Sequence, residues 1–373
     1  MSGEVLPVPR ADLAGFAPYR TQQMDAEVRL QANEWAESNP AARSITEDEL
    51  ERVLLNRYPR AATELLAALA ARFDVAPEQI VLGNGSNEVL LYSFLLFGGH
   101  GRSTLLFQPT YSMHGRLTQT AGGTVIDERI GLPYAVSAQR ALAAVERHHP
   151  EIVVICSPNN PTGTLIGEDV VLAVATAAPR SLVLVDEAYA DFAGFTVLPL
   201  IRDHPNVVVV RTFSKARAAA GLRLGLLIAH PKVAAMYRGV QLPYNVSSLT
   251  AAVGARIAAD EASVRRRVEQ CRTEREKVIA ALRRVPSVEA FDSVTNFVLF
   301  RLRGGTTEEV HARFLRESVL VRDVSSWPGC EGCLRVSIGT PAENDRFIAA
   351  LGAVFHPSQG APPPSTSARQ VRA

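Results

Sequence analysis

The sequence predicts an α/β protein with a mainly parallel sheet between helix layers and a smaller α+β domain. Three observations predict it. Apolar, β-branched-rich runs of strand length recur from Gln79 to Ala229. Segments with apolar residues at three- and four-residue spacing separate most of them. After Pro243 the character changes to a long amphipathic helical region followed by short strands. Strands buried on both faces and alternating with helices build parallel sheets covered by helices.

In order, the first thirty residues read as an irregular arm with scattered prolines, and residues 1–35 are assigned to it. The large domain is expected over 36–245. It opens with "TEDELERVLLN" and "TELLAALAARF", helical by spacing and acidic in their first turns. "QIVLG" is a short strand, and "SNEVLLYSFLLF" starts on Ser and continues as an apolar helix. "STLLF", "GTVID", "EIVVICS", "SLVLVDEA" and "NVVVVRTFS" are strands, with helices at 110–121, 137–147 and 167–177 among them. "LRLGLLIA" follows its neighbour with no room for a crossover helix, which permits an antiparallel strand there. The smaller domain is expected over 246–356. It holds a helical region at 247–284, strands at "NFVLF", "VLVRD" and "CLRVSIG", and helices at 307–318 and 341–355. Residues 357–373 are rich in Pro and Ser without apolar periodicity, which predicts a disordered tail.

Composition excludes several classes of function. The chain has 373 residues, 47% hydrophobic and 21% charged, enough for a full core and two lobes. Net charge is +1 and no basic block occurs, so no nucleic-acid partner is expected. No apolar run approaches the roughly eighteen residues of a membrane span. The start lacks a basic-then-apolar signal pattern. Cys156, Cys271, Cys330 and Cys333 do not make a disulfide framework, which points to a reducing cytoplasm. "CEGC" at 330–333 lacks a second ligand pair or a thioredoxin-like context, so it reads as thiols in a turn, and no metal site is expected.

Chemistry gathers at the strand ends. "IVLGNGSNE" ends in a Gly-rich turn whose following helix offers free N–H groups to an anion; alone, it reads better as an ordinary capped helix. "ICSPNNPTG" leaves its strand with two amides and two prolines, "LVLVDEAY" ends on Asp186, Glu187 and Tyr189, and "VVVVRTFSK" on Thr212, Ser214 and Lys215. All four open at one edge of a parallel sheet, where ligands bind. A lysine at a buried strand end beside Arg223 has a lowered pKa and becomes a nucleophile. A phosphate cradle, a carboxylate for a pyridinium nitrogen and a reactive lysine together point to pyridoxal phosphate.

At these residues the sequence resembles a known family. "SPNNPTG", "DEAY" and "TFSKARAAAGLRLG" resemble the fold type I, class I/II aminotransferases. "NRYP" at 56–59, "GNGSNE" at 83–88, "PTYSMH" at 109–114, "PYNVSSLT" at 243–250, "NFVLF" at 296–300 and "VLVRDVSSWPGCEGCLRVSIGTPAEND" at 319–345 narrow it to the histidinol-phosphate aminotransferase family. The resemblance implies a pyridoxal-phosphate enzyme that moves an amino group between histidinol phosphate and 2-oxoglutarate in histidine biosynthesis. It implies that Lys215 bonds to the cofactor and shuttles the substrate proton, and that Asp186 pairs with the pyridine nitrogen. Asn160 and Tyr189 would serve the ring oxygen, and Tyr111 would stack on the ring. Ser86, Asn87, Thr212, Ser214 and Arg223 would cradle the phosphate. Tyr58 would reach that phosphate from the neighbouring subunit of a homodimer with shared sites. Arg335, Arg322, Tyr19 and Asn33 would meet the small-molecule amino donor and 2-oxo acid.

The family's N-E-N-P-x-G segment reads "ANEWAESNP" here, with Asn33 and Glu34 kept. Other readings share the motifs: an aromatic or pathway-specific amino-acid aminotransferase, or a phosphothreonine decarboxylase of the same fold. A non-enzymatic regulator would need an appended DNA-binding domain, and the joint presence of Lys215, Asp186 and Asn160 argues against it. His114 is expected to be a wall residue. Trp35 and Trp327 are expected to be packing residues.

Overall fold

The structure, a computed structural model, describes residues 10–13, 15–18, 24–43, 46–47, 51 and 53–355. The arm contains a short strand, β1 (Val28–Arg29). The main sheet comprises β2 (Ile80–Asn84), β3 (Ser103–Gln108), β4 (Thr124–Arg129), β5 (Ile152–Cys156), β6 (Leu182–Asp186), β7 (Val207–Thr212) and β8 (Leu224–Ile228). Their spatial order is β2-β8-β7-β6-β5-β3-β4. β8 runs antiparallel to both of its neighbours, and the other pairings are parallel.

Strand alternation explains why the apolar runs have no polar face. Along β6, Val183 and Val185 enter one apolar cluster while Leu182 and Leu184 enter another. Along β7, Val207 and Val209 face the first and Val208 and Val210 the second. Helices cover both faces, so each side chain leaves water on folding, which is worth about 1.5–3 kcal/mol per Val or Leu.

A second sheet lies further along the chain. It contains β9 (Val288–Ala290), β10 (Phe297–Leu302), β12 (Arg322–Asp323) and β13 (Cys333–Ser337), in the order β12-β13-β10-β9 and antiparallel throughout. Between them, β11 (Val319–Leu320) pairs in parallel with β1. Phe297, Phe300, Leu334 and Val336 share this region's apolar cluster with Val28 and Leu30.

Several details differ from the sequence reading. The arm is not wholly irregular, because β1 joins β11; two residues are too few to show a period. The 247–284 region is two helices, Ser248–Ala259 and Glu261–Arg283. Asp260 breaks it: its backbone leaves helical geometry, and its side chain accepts the Ser263 N–H at 3.1 Å, capping the second helix. The helix Pro231–Val240 is not among the elements read from the sequence. The helix expected at 46–56 lies partly outside the described residues, and from Val53 onward the chain is turn and bend. Pro59 keeps the residue before it out of helical geometry. Residues 357–373, expected as a tail, lie outside the described residues.

Candidate active site

The carboxyl ends of β2, β3, β5, β6 and β7 open onto one cavity of about 380 Å³. The strand directions dictate this: two antiparallel pairings bring β2 back parallel to β7. Asp186 is the last residue of β6, and Thr212 the last of β7. Lys215 follows three residues later and lines the cavity.

Lys215 Nζ donates to the Ala32 carbonyl at 3.0 Å and sits 5.8 Å from the Tyr189 ring centre. Its pKa is lowered to about 8. Burial among protein groups is the main cause, and the Arg335 and Arg223 cations add to it, while Glu34 and Asp186 oppose it. This is the lowered lysine pKa expected from sequence.

Asp186 is 3% exposed. Its Oδ1 accepts the Ala188 N–H at 3.1 Å, and its Oδ2 lies 3.0 Å from Nε2 of His114. A carboxylate only accepts, so this contact is a hydrogen bond from His114 when Nε2 carries the ring proton. His114 was expected as a wall residue; the structure makes it the partner of Asp186. A signal existed in the sequence. Tyr111 and His114 are three apart at the start of the helix Ser112–Thr120, so they share a face. Their rings meet edge-on, with centroids 5.4 Å apart.

The same cavity includes a hollow lined by donors. The helix Ser86–Phe97 points its N-terminus, with Ser86 and Asn87, into the cavity. Its first N–H groups have no partner inside the helix. Thr212 and Ser214 hydroxyls lie 3.0 Å apart on the adjoining wall. Arg223 closes the hollow, with its guanidinium against Gly85. A Cβ on Gly85, which has φ +76°, would occupy the guanidinium's place. A Cβ on Gly225 would strike the backbone of Gly85 and Ser86. The two glycines therefore keep a cradle of cationic and N–H donors open.

The remaining wall comes from the loop after β5, the arm and the second sheet. Asn160 Oδ1 accepts from Arg335 at 2.5 Å, and Arg335 also donates to the Gln31 carbonyl at 2.9 Å. Tyr189 Oη accepts from Asn33 Nδ2 at 2.9 Å, and Asn33 Oδ1 accepts from the Ser337 hydroxyl at 3.1 Å. Burial raises the Tyr189 phenol well above its ordinary pKa. Arg322 on β12 is the register partner of Arg335 on β13, and both line the cavity. No hydrogen-bond or ion-pair partner for the Arg322 side chain is found among the described residues.

Tyr58, expected to reach the cavity of a neighbouring subunit, does not line that of its own chain. Tyr58 is 76% exposed, outside it, and stacks on Tyr244 with centroids 4.5 Å apart. Tyr19 lies outside the described residues. Arg29, Gln31 and Trp327 line the cavity but were not read as site residues. Glu187, though next to Asp186, serves the scaffold: it pairs with Arg211 at 2.7 Å and accepts the Val197 N–H at 2.7 Å. Cys330 and Cys333 are free and buried, in the expected turn. No metal-ligating cluster occurs among the described residues.

Known proteins are similar to this chain in sequence and fold. Residues 23–351 match the family Aminotransferase class I and II. A histidinol-phosphate aminotransferase of Streptomyces avermitilis is 40% identical over 360 residues, covering 93% of this chain and 96% of the relative. The crystal structure of histidinol-phosphate aminotransferase from Sinorhizobium meliloti, in complex with pyridoxal-5'-phosphate, shares the fold. Its TM-score is 0.80 at 24% identity, over 89% of this chain and 91% of that one. L-threonine-O-3-phosphate decarboxylase from Porphyromonas gingivalis superposes with a TM-score of 0.73 at 25% identity, over 87% of this chain and 98% of that one. The fold alone thus spans more than one reaction, whereas the level of identity to the Streptomyces relative is specific: the chain belongs to the histidinol-phosphate aminotransferase family, within the class I and II aminotransferases.

Proposed function

We propose that the chain transfers an amino group between histidinol phosphate and 2-oxoglutarate in histidine biosynthesis, with pyridoxal phosphate as cofactor. The observation that carries the substrate reading is the Arg322–Arg335 pair. Like charges directly opposite each other in a sheet are destabilising. Arg335 is 5% exposed, so solvent screens the pair poorly. An anion with several oxygens relieves that repulsion, and two guanidinium forks suit a phosphate dianion or a carboxylate.

The residues present fit the cofactor, because Gly85 and Gly225 leave the cradle unfilled. Arg223, Thr212, Ser214, Ser86 and Asn87 would hold its phosphate at the helix N-terminus. Asp186 would keep a proton on its ring nitrogen, Tyr111 would cover a ring face, and Asn160 and Tyr189 would meet the ring oxygen. Bound there, the cofactor supplies an aldehyde for amine exchange and a ring that takes up electrons.

The chain's own residues supply the rest. Lys215 would bond to the aldehyde carbon and, once displaced, move the proton at the substrate's Cα. A pKa near 8 suits an amine that must both take and give a proton at neutral pH. His114 holds Asp186 in one orientation. Asn33 acts through Tyr189, whose phenol it fixes. Arg335 and Arg322 bind the donor's anionic group, and Arg335 then receives a carboxylate of the 2-oxo acid.

We further propose a homodimer in which Tyr58 reaches the partner's cavity. Leu55, Tyr58, Leu242 and Tyr244 are 86%, 76%, 62% and 58% exposed. An apolar patch of that kind favours burial against a second copy. The assigned domain boundaries, 36–245 and 246–356, stand as part of this reading. So does Tyr19 as a further contact of the donor's phosphate. Four buried thiols support a reducing cytoplasm as the place of action.

The test is spectroscopic. Histidinol phosphate is expected to bleach the yellow pyridoxal form at low concentration, and phenylalanine is not. Bleaching by phenylalanine alone removes the histidine reading. Release of carbon dioxide from phosphothreonine would instead favour the decarboxylase.

A further inference from the structure

Lys215 begins a tight turn. The Ala218 N–H donates to the Lys215 carbonyl at 2.9 Å, and the Ala219 N–H donates to the Phe213 carbonyl at 3.0 Å, so the lysine sits in a closed loop. Ala218 has φ +51°, left-handed geometry that an L residue rarely adopts. Such a residue persists only where its surroundings over-determine it.

Arg217, two residues past the lysine, supplies those surroundings. It is 2% exposed and is not among the residues that line the cavity. Its Nη1 donates to the Ile257 carbonyl at 2.7 Å, in the last turn of the helix Ser248–Ala259. Its Nη2 pairs with Glu261 Oε1 at 2.6 Å, at the first residue of the helix Glu261–Arg283. A cation at a helix C-terminus and a carboxylate at a helix N-terminus both suit the helix dipoles. The guanidinium also lies 5.3 Å from the Phe213 ring centre. On the other side, the Arg217 carbonyl accepts from Asn39 Nδ2 at 2.6 Å. Apolar groups in place of a buried ion pair often leave stability unchanged. What this pair adds is a fixed place for the turn.

We propose that Arg217 is a positioning residue: by tying the turn to the two helices, it sets where the Lys215 amine stands relative to the phosphate cradle. The inference rests on the reading that Lys215 bonds to pyridoxal phosphate. In that bond the Lys215 nitrogen replaces the aldehyde oxygen, which leaves as water. Much of the cradle lies outside the turn. Ser86 and Asn87 open a helix, Thr212 ends β7, and the Arg223 carbonyl accepts the Gly85 N–H at 2.9 Å. A loosened turn therefore displaces the amine and leaves the phosphate site in place.

The experiment separates the amine from the cradle with two probes, pyridoxal phosphate and pyridoxamine phosphate, titrated into the apoprotein by calorimetry. Both carry the ring and the phosphate; only the first has an aldehyde for Lys215. In Arg217→Met the dissociation constant for pyridoxal phosphate is expected to rise about 10–100-fold, and that for pyridoxamine phosphate to stay within about threefold of wild type. Glu261 has a 33% exposed side chain and keeps Arg72, so this variant strands no buried charge. Arg217→Lys keeps the charge but reaches one anchor, and its loss is expected to lie between; it carries the test if the methionine variant does not fold. An equal loss for both probes, or no loss for pyridoxal phosphate, overturns the inference. In Lys215→Ala the two probes are expected to bind alike. A preference for pyridoxal phosphate that survives Lys215→Ala overturns the lysine reading beneath the inference, and so is distinguishable.

Discussion

His114 Nε2 and Asp186 Oδ2 lie 3.0 Å apart, and His114 is 0% exposed. The Asp186 carboxylate has the Ala188 N–H on Oδ1 and the imidazole on Oδ2, so Oδ2 depends on His114. Removing a hydrogen bond to a charged group costs about 1.5–3 kcal/mol. His114→Leu is therefore expected to weaken pyridoxal phosphate binding about 10–100-fold. His114→Asn, which retains an N–H donor, is expected to recover part of it. Titration of the apoprotein followed by absorbance measures both.

Lys215 gives a pH prediction. At a pKa of about 8 half of the amine is neutral at pH 8. An ordinary lysine near 10.4 would be neutral in only about one molecule in 250 at that pH. The rate of pyridoxal phosphate uptake by the apoprotein should rise with pH up to about 8 and then level. A rate still climbing steeply past pH 9 contradicts the lowered value. The folded-state pKa is depressed, so between about 8 and the unfolded value the unfolded chain binds more protons. Apoprotein stability should therefore rise with pH across that window. Lys215→Ala should abolish both turnover and the yellow absorbance.

The two glycines of the cradle should fail differently. At Gly85 an added methyl meets the flexible end of Arg223, so Gly85→Ala should chiefly lower affinity for the cofactor's phosphate. At Gly225 it meets backbone, which cannot move aside. Gly225→Ala should destabilise the fold by about 1–3 kcal/mol. Denaturant unfolding and cofactor titration, run on both variants, separate the two effects.

Arg322→Gln removes one of two facing cations. It should raise KM for histidinol phosphate about tenfold or more, as loss of a charge-assisted contact does. The same substitution relieves repulsion with Arg335, so stability should hold or improve slightly. Steady-state kinetics and a thermal melt are sufficient; unchanged KM removes Arg322 from the anion site.

Leu55→Glu places a charge in the exposed patch around Tyr58 and Tyr244. It should yield monomers with low activity, read by light scattering. Tyr58→Phe should leave the oligomer intact and weaken only cofactor binding. A wild-type protein that is monomeric and fully active would exclude the shared-site dimer.

Much of this was legible in the sequence because strands and the polar residues at their ends leave strong local marks. Runs such as "SLVLVDEA" announced a strand buried on both faces, and its end placed Asp186. Lys215, Asn160 and Arg223 stood in short motifs that resemble a known family's, and all three line the cavity. What escaped depended on contacts across the chain. Nothing near Gln31 shows that its carbonyl holds Arg335, three hundred residues away in sequence. Val28 and Arg29 form a strand only because Val319 and Leu320 are there to pair with them. His114 was visible as a residue, but its partner was fixed only by folding. The break at Asp260 was within reach, since Asp followed by an amphipathic run is a helix start.

The pairing of β1 with β11 makes the segment intolerant of a register slip. Backbone bonds tie Val28 to Ser318 and Leu30 to Leu320 and Ser337, while Ala32 and Asn33 touch Lys215 and Tyr189. One inserted residue between Arg29 and Gln31 would invert everything after it. The glutamine would turn toward the phenylalanines, and a leucine would face the arginines. A deletion or insertion of two residues would restore the faces yet leave the lysine's carbonyl partner some 6–7 Å away. Length, as much as composition, is therefore under constraint in these six residues.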